Sequence, residues 1–177
     1  MDIRARIAEA TSAADQLGAY YALTDELVRA QQADMAQILF DYLLEGGSCE
    51  GHGTGGGLDT TGKVQMVVAR PALAYLSEEV KGFTSQPDLK SFCIYALDKL
   101  KRNTSFAKSD RSLKMNLAEC FLQEDCFAEA AETLACIDLG QAQDVSARFK
   151  ANINVRCAEL FMDESVDDCG KADIFVR

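Results

Sequence analysis

Apolar residues recur every three or four positions along most of the chain and never in sustained alternation. That is the period of helices that bury one face. Leu113, Leu117, Cys120 and Phe121 stand at i, i+4, i+7 and i+8. After the polar break Gln123, Glu124, Asp125, the spacing resumes through Phe127, Ala130, Ala131, Leu134 and Ile137. The pattern predicts two helices of about a dozen residues each. Val145, Phe149, Ile153, Cys157, Leu160 and Phe161 predict a longer one from Asp144 to Asp163.

Upstream, Ser85 followed by Pro87 and Asp88 places an N-cap, a first-turn proline and an acid at the capping-box position. The helix that follows turns Leu89, Phe92, Cys93, Ala96 and Leu100 inward. In the N-terminal third, Ile3, Ile7, Ala10 and Ala14 suggest a first helix, Tyr20 to Ala30 a second, and Met35, Ile38, Leu39, Tyr42 and Leu43 a third. Val64 to Val80 again has helical spacing, with Pro71 expected to kink it or begin a new turn. Seven of the twelve glycines fall between 46 and 57, which makes that stretch a flexible loop rather than an element.

Two stretches forty residues apart share their order: NLAECFLQED from Asn116 and RCAELFMDES from Arg156. Each carries Ala-Glu, an aromatic two places later and an acidic break. A second helix with small residues follows, Ala130 and Ala131 in one copy and Gly170 and Ala172 in the other. Small side chains let the helices of a hairpin approach closely, and the next hairpin covers the apolar side left open. The expected fold is therefore all-α, a right-handed α-α superhelix of TPR-like or HEAT-like hairpins. Its parts are N-terminal helices over 1–45, a glycine-rich loop over 46–62 and a repeat array over 63–177.

With 177 residues and 48% apolar content, the chain can bury a sizeable core. Its net charge of -10 argues against nucleic acid or an anionic membrane surface as partner. Residues 1–60 hold Arg4, Arg6 and Arg29 against ten acids. Asp15, Asp25, Glu26, Asp34 and Asp41 there form an acidic arm able to steer a basic partner. The middle of the chain is mildly basic, with Lys99, Lys101 and Arg102 near Lys90, Lys108, Arg111 and Lys114. The seven cysteines lie mostly on apolar helix faces and read as reduced thiols, small hydrophobes in function. The N-terminus has no apolar signal region and no stretch is long enough to span a bilayer, so a cytoplasmic or nuclear protein is expected.

Candidate chemistry is sparse. Gly57 to Val64, GLDTTGKV, fits the spacing of a phosphate-binding loop, with Gly57, Gly62 and Lys63 as the nucleotide-binding residues. Val64, however, replaces the magnesium-binding hydroxyl, and no strand precedes the loop. His52, the single histidine, lies three residues after Cys49. Two such ligands fall short of the four a structural zinc requires, and no partner orients the imidazole for catalysis. No catalytic, cofactor or metal residue is assigned. Lys150, Asn152, Asn154 and Arg156 faintly suggest the groove of a peptide-clamping adaptor.

The runs VVARPALAYLSEEV (67–80), LKSFCIYALDKLKRN (89–103), LKMNLAECFLQEDCFAEAAETLACIDLG (113–140) and AELFMDESVDDCGKADIFVR (158–177) carry a specific likeness. In this order they resemble the N-terminal helical-repeat region of the COP9 signalosome subunit 4 family, among the PCI-domain subunits. Proteasome-lid PCI scaffold subunits share much of the wording and are the alternative. The resemblance implies a non-catalytic scaffold whose arm helps recognise cullin–RING ubiquitin ligases for cullin deneddylation, alongside other signalosome subunits. The isopeptidase is implied to reside in a different subunit. Because the family continues into further repeats and a PCI winged-helix domain, the chain reads as an N-terminal arm cut before that domain. The glycine-rich loop is no family feature. Exposed Ile174, Phe175 and Val176 at the cut end are expected to promote self-association.

Overall fold

The computed structural model describes residues 12–47, 64–101, 103–139, 145–163 and 169–176. Among them are eight α-helices and no strand. They are α1 (Ala13–Arg29), α2 (Ala33–Gly47), α3 (Met66–Glu79), α4 (Gln86–Leu100), α5 (Ala107–Gln123), α6 (Phe127–Ala135), α7 (Ala147–Phe161) and α8 (Cys169–Val176). Short 3-10 turns occupy Val80–Gly82 and Thr104–Phe106. The chain divides into two compact units, residues 1–112 and 113–177. Ile3, Ile7 and Ala10 of the predicted first helix lie outside the described residues, as do Asp144 and most of the glycine-rich segment.

In the first unit, α3 packs on both α1 and α2, and α2 also packs on α4. A helix with neighbours on two sides must be apolar over most of its circumference. Accordingly Val68, Ala69, Ala72, Leu73, Ala74 and Leu76 of α3 are all buried. Ser77, fully buried among them, donates to the Leu73 carbonyl at 2.7 Å. A single helix runs through Pro71, where the sequence suggested a kink or restart. Pro71 has no N–H to offer the Val67 carbonyl. Val67 is 67% exposed, so water can take that acceptor.

α1 starts seven residues before the predicted Tyr20. Ser12 caps it, its hydroxyl accepting from the Asp15 amide at 3.1 Å and donating to the Asp15 carboxylate at 2.6 Å. The helix ends in a left-handed residue, Gln31, with φ 56°. Gln32 N–H reaches the Leu27 carbonyl at 2.9 Å and Gln31 N–H the Val28 carbonyl at 3.1 Å, a Schellman closure. Glycine is the usual residue here. Glutamine adds its side-chain amide, which donates to the carbonyls of Val28 (2.8 Å) and Gly82 (3.1 Å) and accepts from the amide (2.6 Å) and hydroxyl (2.9 Å) of Thr84. The end of α1 is thus tied to the turn after α3. Gly82 permits the approach, since a Cβ there would meet Val28 Cγ1 at 2.7 Å. Gln31→Ala keeps the backbone strain and loses all four bonds, so it is expected to cost about 1–2 kcal/mol in urea unfolding. Gln31→Gly, free of the strain, should lose less.

In the second unit, α6 packs on α7 and α7 on α8. One core joins Ala118, Ala130, Ala131, Leu134, Ile137, Ile153, Cys157, Phe161 and Ala172. The break at 123–125 is a second Schellman closure. Asp125 has φ 57°, Cys126 N–H reaches the Phe121 carbonyl at 2.9 Å, and Asp125 N–H the Leu122 carbonyl at 3.2 Å. Ser146 caps α7 through the Phe149 amide at 3.2 Å. The two repeated stretches occupy matching environments: Leu117 and Cys157 are buried, Ala118 and Ala158 are buried, and Glu119 and Glu159 are exposed. Ala130 and Ala172, each fourth in its helix, enter the core. Gly170 is exposed, so of the two small residues expected at that packing face only Ala172 serves it.

Candidate interaction surface

The acids expected to form a free arm are largely engaged within the first unit. Asp25 accepts from the Tyr75 hydroxyl at 2.8 Å. Asp41 accepts from the Tyr95 hydroxyl and lies 3.7 Å from the Lys99 ammonium. These bonds fasten α3 to α1 and α4 to α2, and Tyr21 leans on Tyr75 with ring centroids 4.3 Å apart. The hydrogen bond to Asp25, with burial second, pushes the Tyr75 phenol up to about 12. Asp41 raises Tyr95 for the same reason. All five tyrosines of the chain lie in this unit. Tyr20 is buried with its hydroxyl against Tyr42, without a hydrogen bond of good geometry. Burial first and Tyr42 second hold its phenol well above the ordinary range. Asp15 is spent on the α1 cap. Asp34 and Glu26 face solvent.

The basic run is likewise divided among partners. Lys99 lies over the Tyr95 ring at 5.2 Å and is raised by that residue first and by Asp41 second. Lys101 pairs with Asp98 at 2.8 Å, and Lys108 with Glu78 at 2.9 Å. Lys114 donates to the Cys136 carbonyl at 2.9 Å, where a cation suits the carbonyl end of α6. Arg111 is buried, and Arg102 lies outside the described residues. Lys99, Lys101, Lys108 and Lys114 are thus each engaged by a partner within their own unit.

Lys150, Asn152, Asn154 and Arg156 do not converge on one groove. Two-residue steps on a helix turn by about 200°, so successive members sit on opposite sides of α7, Lys150 with Asn154 and Asn152 with Arg156. Arg156 pairs with Glu119 of α5 at 2.9 Å. In the glycine-rich segment, Cys49, His52, Gly57, Gly62 and Lys63 lie outside the described residues. Val64, at the position a phosphate-binding loop reserves for its hydroxyl, is 1% exposed in the core.

Cys93, Cys120, Cys126, Cys136 and Cys157 form no disulfide. Burial pushes the Cys157 thiol up to about 11, against a smaller opposing pull from Arg156. A raised folded-state value means the protonated thiol is favoured in the fold. Its contribution is full below the ordinary thiol range, near 9, and is lost as pH rises towards 11. Urea midpoints followed from pH 8 to 11 are expected to fall in that window, and Cys157→Ala should flatten the fall.

Large apolar side chains are exposed in the second unit. Val155 of α7 and Met162, the residue that caps its C-terminal end, are 56% and 57% exposed, and Ile174 of α8 is 71% exposed. The sequence marked Ile174, Phe175 and Val176 as exposed. Phe175 instead stacks on Phe161, with centroids 5.8 Å apart, and is half-buried; the side chain of Val176 lies outside the described residues. Val155 and Met162 were not singled out. Their signal was available, since Val155 is out of phase with the Ile153, Cys157, Phe161 stripe.

Among the described residues, no helix is long and apolar enough to cross a membrane. No family model matches the chain. It is 23% identical over 160 residues to COP9 signalosome complex subunit 4 of Dictyostelium discoideum, a stretch covering 89% of this chain and 36% of that protein. The chain is thus a distant relative of a signalosome subunit and spans little more than a third of its length.

Proposed function

We propose that this chain is a non-catalytic scaffold arm of a COP9-signalosome-like complex and that it helps recognise cullin–RING ubiquitin ligases for deneddylation. The observation that carries this is the likeness to subunit 4 across 89% of the chain. The helical elements of the described residues, with α6 packed on α7 and α7 on α8 in the second unit, support it. In this reading the hairpins wind as a right-handed superhelix, the work is done in cytoplasm and nucleus, and the partners are other signalosome subunits and the ligase. Helical repeats suit such a role because they expose extended surface without needing a pocket.

Direct titration against an assembled NEDD8-modified cullin–RING ligase tests the proposal, with a purified proteasome lid lacking its equivalent subunit as competitor. Binding to the ligase that weakens as salt rises is the expected result, given the net charge of -10. Binding to the lid alone would overturn it in favour of the sister assembly. Binding to neither would remove ligase recognition from this arm.

A further inference from the structure

We draw no further inference here: the strongest candidate, the solvent side of α2 and α4 in the first unit, where Ile38 and Ile94 are 53% and 50% exposed, carries nothing because nothing in the structure shows what covers it.

Discussion

Phe92→Ala is expected to destabilise the first unit by about 3–5 kcal/mol, a large part of what a domain of this kind holds in reserve. Phe92 has no exposed surface and is flanked edge-on by Phe40 at 5.9 Å and Phe83 at 6.3 Å. Alanine therefore removes the transfer free energy of a whole ring and leaves a cavity that two rigid neighbours cannot easily close. It also forfeits both ring pairs, each worth about 0.5–1.5 kcal/mol beyond burial. Urea unfolding followed by circular dichroism reads the loss. Ile94→Ala, two positions along the same helix and 50% exposed, should shift the midpoint little. Equal effects from the two variants would mean that α4 does not pack on α2 through Phe92.

In the second unit, the large response is expected from adding volume. Ala131→Leu should cost about 1–3 kcal/mol. Ala131 is fully buried in the core shared with Ala130, Ile153, Cys157 and Phe161, where α6 lies against α7. Three extra carbons there must push the helices apart or force neighbours off their rotamers. Ala135→Leu, exposed at the end of the same helix, should be nearly neutral. Alongside the lower thermal midpoint, faster thiol labelling of Cys157 is expected, because loosening this contact admits reagent to a sulfur now fully buried. An unchanged midpoint would show spare room at the contact and remove the packing reason for alanine in the repeat.

Much of the helical framework was legible because it depends on local chemistry. Ser85 was read as a cap from its neighbours alone, and its hydroxyl accepts from the Asp88 amide at 3.4 Å. The stripe of Phe92, Cys93, Ala96 and Leu100 is buried as spaced. In α2 the same reasoning chose the wrong edge. Ile38 was assigned inward and is 53% exposed, while Phe40, left out, is fully buried. The stripes 35, 38, 39, 42 and 36, 39, 40, 43 are both good helical patterns, and only the positions of α1, α3 and α4 choose between them. The charged clusters failed for a related reason. Asp25 and Tyr75 are fifty residues apart, and no local pattern tells a carboxylate that will meet a hydroxyl from one that will meet water.

The sequence by itself determined the helical class, the approximate elements after residue 64 and the forty-residue echo between Asn116 and Arg156, because period, capping and small-residue placement are written within a few turns of chain. Tertiary structure decided which edge of each helix is covered, which charges are spent on internal bonds, that Gln31 serves as a clamp at a left-handed corner, and that Val155, Met162 and Ile174 stand bare. Each of those depends on which distant surface arrives opposite a residue, and burial and hydrogen bonding are properties of that pairing.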